Sequence, residues 1–294
     1  MIPLEEIFTV IDDFCKHFEQ TMARKMLPSA KRQRNRPCRM SSSEIMTIVV
    51  LFHFSHYRTF KDFYLNCILK NKSNDFPKAL SYTRFVEVMP SVMMPLHVLL
   101  HSFFGHKTGK YFVDSTKLSV CHNLRIRRNK VFKGMAQRGK TSTGWFFGFK
   151  LHLVLNHQGG LMGFKMTKGN VDDRKPVQNM VKQLQGWLFG DRGYISKNLS
   201  QELQDQGLEL ITTMKRNMKK ILLSPLQKFL LNKRGIIETA IDQLKNMLHI
   251  QHTRHRSPLN FQVNVLAGLL AYILKPKKVS VPFAALNNLL TTPN

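Results

Sequence analysis

A chain of 294 residues with 43% hydrophobic and 10% aromatic content is long enough for a substantial core and too rich in aromatics to be disordered. Its 45 Lys and Arg against 18 Asp and Glu leave a net charge of +27, which calls for a polyanionic partner, nucleic acid first and an anionic membrane surface second. No uncharged apolar run reaches the ~18 residues of a membrane span, MIPLEEIFTVIDDF lacks the regions of a signal peptide, and the four scattered cysteines form no CxxC pair and fit a reducing cytosol.

In chain order, residues 1–25 read as an amphipathic helix holding five of the eighteen acids, and residues 26–40 as a basic linker. Ser41-Ser42-Ser43-Glu44 has the form of a capping box opening the apolar helix IMTIVVLFHF. Further helices fit Thr59–Leu69 and the stretch from Ser81. Helices of this size joined by short turns suit a helix-turn-helix within a helical region 1–105, and equally a plain helical bundle.

The pattern changes after Gly109. KYFVDST is a short strand. GWFFGFKLHLVL (Gly144–Leu155), the turn NHQGG and LMGFKMT form a hairpin. Between the first and second strands lies a basic stretch with Arg125, Arg127, Arg128, Lys130, Lys133, Arg138 and Lys140, read as a loop that orders on DNA or as a solvated surface loop. Asp172 or Asp173 can cap a helix DRKPVQNMVKQLQ that Gly186 ends. WLFG is a strand, Ser196–Gln206 a helix, and LELITT a strand followed by the basic run with Lys215 and Arg216. Gly235–Ile250 reads as one periodic helix, and Ser257-Pro258 starts the last one. The order gives a mixed α/β domain over residues 106–275, with three antiparallel strands, two strands reached by helical crossovers, and helices packed on the sheet. Residues 276–294 form a tail. Trp145 and Trp187 fall within strands and read as core.

Acids are sparse enough that their positions inform. None occurs between Asp114 and Asp172, where eleven Lys and Arg fall, none between Glu209 and Glu238, and none after Asp242. Asp114 sits inside an apolar strand, where an ionised carboxylate needs a cation or hydrogen bonds. Asp191 ends WLFG, and active groups in sheets with crossover helices collect at the carboxyl ends of strands. Glu238 lies beside an apolar helix face, four residues after Arg234 and seven before Lys245, and at ~100° per residue the three stack on one side. Each position also has a plain reading: a satisfied core aspartate, an Asx turn, and an i, i+4 surface pair. Together they fit a two-metal phosphoryl-transfer centre, since Mg²⁺ takes carboxylate oxygens and shares its other positions with water and phosphate. Asp172 and Asp173 are rivals for a metal. His249, His252 and His255, at i, i+3, i+6, spread around a helix and do not make a zinc site.

In the order strand Asp, strand-end Asp, helix Glu, in the R-x3-E-x6-K spacing of Arg234, Glu238 and Lys245, and in GDRGY around Asp191, the sequence resembles the DDE-type transposases of bacterial insertion sequences. The tyrosine of the Y-x2-R-x3-E-x6-K signature falls at Leu231, a departure from the pattern. The resemblance implies a ribonuclease-H-like catalytic domain. It implies two Mg²⁺ ions, Mn²⁺ being an alternative, with Asp114 bridging both and Asp191 and Glu238 each completing one. Arg234 and Lys245 would contact the phosphate backbone. It also implies cleavage at element ends, transfer of the 3′-OH to target DNA, a homodimer on double-stranded DNA, and a place in the bacterial cytoplasm at the nucleoid. Only 46 residues separate Asp191 from Glu238, leaving no room for the large β insertion of some relatives. A catalytically inactive, transposase-derived DNA-binding protein and a generic ribonuclease-H-like nuclease share the pattern.

Overall fold

The computed structural model describes residues 3–25, 38–213, 222–252 and 254–281, of which the side chains of residues 23 and 25 are left out. The chain folds as two compact units: a helical unit of residues 1–102, 246–250 and 255–276, and a sheet unit of the remainder. The fold class is mixed α/β, a mixed sheet flanked by helices, as the sequence leads one to expect.

The helical unit opens with α1 (Leu4–Lys25) and α2 (Ser42–Phe54). The capping box is present: the Ser41 hydroxyl accepts from the Glu44 backbone N–H, and a Glu44 carboxylate oxygen accepts from the Ser41 N–H at 2.7 Å. Ile45 through His53 are all buried. The expected helix at Thr59–Leu69 is a three-residue turn, α3 (Phe60–Asp62), running into a π-helical segment, Phe63–Asn71. Next come α4 (Tyr82–Val88), a 3-10 turn around Pro90, and α5 (Met93–Ser102). The run Tyr82–Ser102 reaches a mean hydropathy of 1.2 and is long enough to cross a membrane. It carries Arg84 and Glu87 and buries Phe85, Leu96, Leu99 and Leu100, which suits a core helix.

Among the described residues the sheet unit has six strands: β1 (Lys110–Cys121), β2 (Gln137–Thr141), β3 (Gly144–Asn156), β4 (Leu161–Lys168), β5 (Gly186–Gly190) and β6 (Leu208–Thr212). β1 lies between β3, antiparallel, and β5, parallel, and β6 extends the parallel side. The other edge of β3 is covered end to end, Gly144–Gly148 by β2 and Phe149–Leu155 by β4. The short helices α6 (Val177–Met180) and α7 (Lys197–Asp205) follow β4 and β5. Val177, Leu199 and Leu203 from them bury Tyr111, Val113, Val154 and Leu188 of the strands. α8 (Pro225–Asn232) packs on β5 and β6, and α9 (Gly235–Asp242) on β1 and β3.

Four expectations need correction. The basic stretch after β1 is not wholly a loop. Asn123–Arg128 is a 3-10 turn and Gln137–Thr141 is β2, whose Gly139 has no room for a Cβ because the Gly169 carbonyl would stand 2.1 Å away. The long helix from Asp172 shrinks to the single turn α6, because Pro176 donates no N–H and an Asp172–Arg174 clamp fixes the chain before it. The helix from Gly235 passes into a π segment, Gln243–Met247, and stops before His249, whose φ of 48° is left-handed. Trp145 is no core residue: it is 61% exposed on β3, while Trp187 is half-buried.

The last helix, α10 (Pro258–Leu274), starts as expected with Ser257 as N-cap and Pro258 at its first position. A catalytic domain of 106–275 would include it, yet α10 packs on α2 and α5 of the helical unit. His53 Nδ1 donates to the Leu248 carbonyl at 2.5 Å, and Asn264 Nδ2 to that of Ile250 at 3.2 Å. Gly268 is required there, since a Cβ would meet Ile250 Cγ2 at 2.2 Å.

Candidate active site

β1 and β5 run parallel through three residue pairs, ending with Phe112 opposite Phe189. Asp114 and Asp191 each follow that last pair by two residues. β5 ends at Gly190, so Asp191 leaves the sheet beside the strand on which Asp114 continues. Asp191 Oδ1 accepts from the Gly193 N–H at 2.8 Å and caps a 3-10 turn, Arg192–Tyr194. The Asx-turn reading of Asp191 therefore describes its backbone correctly and leaves its second oxygen out of that turn.

Asp114 Oδ1 accepts from the Ser115 N–H at 2.7 Å. Its Oδ2 lies 3.8 Å from Nη1 of Arg234, and Nη2 of the same guanidinium donates to Glu238 Oε1. Arg234 precedes α9 directly, so the i, i+4 spacing lets one cation bridge two acids from different elements. Burial pushes Asp114 up to about 6. The Ser115 N–H and Arg234 oppose the rise, and the charges of Asp191 and Glu238 add to it. Thus acids 77 and 124 residues beyond Asp114 in sequence act on it through space.

These acids fall inside the stretch, residues 104–258, that matches a family model described as "Transposase DDE domain", just over half of the chain. The chain belongs to this family. No curated protein matches the transposase. Among solved structures, it is similar to a piggyBac transposase in a synaptic complex with hairpin DNA, at 13% identity and a TM-score of 0.50, covering 98% of this chain and 79% of the other. That likeness is one of fold.

Several other residues of the transposase have defined surroundings. Lys245 sits in the π segment, so the stack with Arg234 and Glu238 is not one of uniform α-helical pitch. Burial, then the charge of Lys117, lowers its pKa. Asp172 is bound by Arg174, whose Nε donates to it at 2.9 Å, and is held well below the usual carboxylate range. Asp173 accepts from Lys150 Nζ at 2.9 Å. Neither caps α6, which has Pro176 before it. Arg125, Arg127, Arg128, Lys130, Lys133, Arg138 and Lys140 are all exposed. Lys215 and Arg216 lie outside the described residues. Leu231, at the signature's tyrosine position, is half-buried on α8, a helix separate from α9.

Tyr194 is a residue the sequence reading overlooks. Its ring packs where a Cβ on Gly190 would meet it at 3.1 Å, and it is 2% exposed. Burial, and then Asp114, Asp173 and Asp191, raise its pKa, which keeps a neutral phenol beneath the acids. The GDRGY spacing was the available signal: a Tyr three residues after a strand-end Asp turns back under it.

Among the described residues, no three His, Cys, Asp or Glu side chains are grouped closely enough to hold one ion. The donor chemistry nevertheless fits hard divalent cations: Asp114 is a carboxylate whose ionisation is opposed by burial and by two like charges, and a cation would reverse that penalty.

The sign of the resulting pH effect is fixed. A carboxyl raised from 3.8 to about 6 contributes stability that is present below its unfolded value and lost as pH rises through about 6. Asp114→Asn should therefore stabilise the metal-free transposase by about 2 kcal/mol at pH 8 and much less at pH 4. Urea melts in EDTA at the two pH values check this; an equal effect at both would contradict it.

Proposed function

We propose that this transposase cleaves DNA at the ends of a bacterial insertion sequence and joins the freed 3′-hydroxyl to target DNA. In this reading Asp114, Asp191 and Glu238 are the ligands of two Mg²⁺ or Mn²⁺ ions on a ribonuclease-H-like sheet. The observation that carries the reading is geometric: Arg234 lies against both Asp114 and Glu238, and Asp191 leaves β5 beside the strand that carries Asp114, in a strongly basic chain.

Bound there, the metal would activate the attacking oxygen and offset charge on the leaving oxygen of an in-line displacement at a phosphodiester. The chain's own residues do the rest. Arg234 has five donors and spends only part of them on Asp114 and Glu238, so it can also donate to a phosphate oxygen. Lys117 and Lys245 repel one another, and a backbone phosphate near both relieves that repulsion. Hydrolysis and strand joining are both displacements at phosphorus, so one set of ligands serves both. The structural relative is described as a synaptic complex with hairpin DNA, which supports DNA as the partner; in this reading the partner is the double-stranded element end and the working form a homodimer. The reading places the protein in the bacterial cytoplasm, at the nucleoid.

A second reading has one observation in its favour. The carboxylate of Glu238 is engaged by Arg234, and among the described residues no three acids are grouped closely enough to hold one ion, as in a DNA-binding protein without catalysis. Incubating the folded protein with a labelled duplex bearing the element's own end, in Mg²⁺, Mn²⁺ or EDTA, separates the two. A metal-dependent cut with joined products supports the transposase reaction. Tight binding with no cut in any metal supports the second reading.

A further inference from the structure

The ladder that leads to Asp191 stops short of it. β5 pairs with β1 as far as Phe189 and with β6 as far as Gly190, so the turn from Asp191 to Tyr194 needs another support. A Cβ on Gly190 would meet the Tyr194 ring at 3.1 Å and Val113 Cγ1 at 3.2 Å, which seats the turn on the Val113 side of the sheet. Residues directly opposite in an antiparallel pair share a face, so Val113, Ser115 and Lys117 share theirs with Val154, His152 and Lys150 of β3. The Asp114 side chain takes the other face.

Along this face the apolar core gives way to a buried polar patch. Val113 and Val154 belong to the core, while His152 is 0% and Lys150 9% exposed. His152 Nε2 is 2.8 Å from the Thr167 hydroxyl oxygen, and its Nδ1 stands 3.9 Å from Asp173 Oδ1. Burial lowers the pKa of that imidazole, so Lys150 is the cation that holds Asp173. Lys150 Nζ donates to Asp173 Oδ1 at 2.9 Å and to the Val171 carbonyl at 3.0 Å, gripping the loop between β4 and α6 at two points. Arg174, the next residue of that loop, donates from Nη1 to the Ile195 carbonyl at 3.4 Å, directly after the Asp191 turn. For stability alone, an apolar pair of similar volume would serve as well as a buried ion pair. What the ion pair adds is direction, since a charge-assisted hydrogen bond fixes one geometry of the loop.

We infer that Asp173, anchored by Lys150, is a positioning residue for Asp191, its loop bracing the turn from Asp191 to Tyr194 against β3. The inference rests on the proposed metal-binding role of Asp191 and gives Asp173 no contact with metal or DNA.

Hydrogen exchange at residues 188–199 reads the brace directly, because the Gly193 N–H is bonded to Asp191 Oδ1. Lys150→Met and Asp173→Ala should each speed exchange there about tenfold, with α1 unchanged. The double variant should go little beyond the faster single one, because both changes remove one interaction. Asp172→Asn should match wild type, since its remaining oxygen still accepts from Arg174. Should a variant fail to fold, Asp173→Asn, which keeps the shape and drops the charge, is read in the same way. Wild-type exchange at 188–199 in the folded variants, or an equal rise throughout the chain, overturns the inference. Maximal cleavage of a labelled duplex end in Mg²⁺ should fall about tenfold in both single variants, with DNA affinity unchanged. Unchanged cleavage, or a deep loss confined to Asp173→Ala as for a metal ligand, also overturns it. A wild type that never cuts counts against the catalytic reading alone, and the exchange result still decides the brace.

Discussion

Asp191→Ala is expected to lower strand cleavage by at least about 10³-fold, the equivalent of some 4 kcal/mol of transition-state stabilisation. The argument is local. Asp191 leaves β5 two residues after the last β1–β5 pair, and its charge already reaches Asp114. Without it, a cation beside Asp114 would lose its nearest strand-end ligand. DNA affinity should be unchanged or higher, because the variant removes a negative charge from a surface that meets phosphates. Asp172→Asn is the comparison: that carboxylate is neutralised by Arg174, and its loss should change cleavage little. Gel assays on a labelled element end, paired with filter binding, measure both quantities. Wild-type nicking by Asp191→Ala would end the assignment of the three acids.

Phe112→Ala should cost about 3–5 kcal/mol of stability, the range for emptying a buried aromatic site. Phe112 and Phe189 are both fully buried, their ring centroids are 5.6 Å apart, and they form the last β1–β5 pair before the two aspartates. At a few degrees per kcal/mol for a unit of this size, the melting temperature should fall on the order of 10 °C. Phe112→Leu should lose much less, because it keeps most of the volume. A thermal melt decides it; a loss below about 1 kcal/mol for the alanine variant would mean that the strands are not packed as described. The same cavity should also loosen the spacing of Asp114 and Asp191, so cleavage should fall even well below the melting temperature.

Much of this was legible in the sequence, for physical reasons that can be named. Long apolar strands such as GWFFGFKLHLVL and caps such as Ser41 and Ser257 announce themselves, because burial and local hydrogen bonds dominate there. The acids stood out because so few occur in the surrounding basic sequence. β2 did not announce itself: QRGKT is polar and edge-paired, so its strand character comes from β3 and from the tight approach of Gly139, neither visible locally. The helix from Gly235 looked continuous because its apolar period persists to Leu248, and periodicity cannot tell an α turn from a π turn. Trp145 escapes the sequence because strand membership does not fix burial, and the residue faces outward beside the β2–β3 turn.

The assignment of α10 to the helical unit also bears on what partial gene products can do. Residues 1–102 lay down α1 to α5, but the apolar helix that covers α2 and α5 is made only after β1 to β6 have been translated. A chain stopped by a premature codon or frameshift before residue 258 would present the bare surfaces of α2 and α5 to water. Such a fragment is a substrate for proteases and chaperones rather than a free competitor for DNA. Truncation is thus a poor route to a dominant inhibitor of transposition, and substitution of one of the proposed metal-binding acids in a chain that retains α10 is a better one.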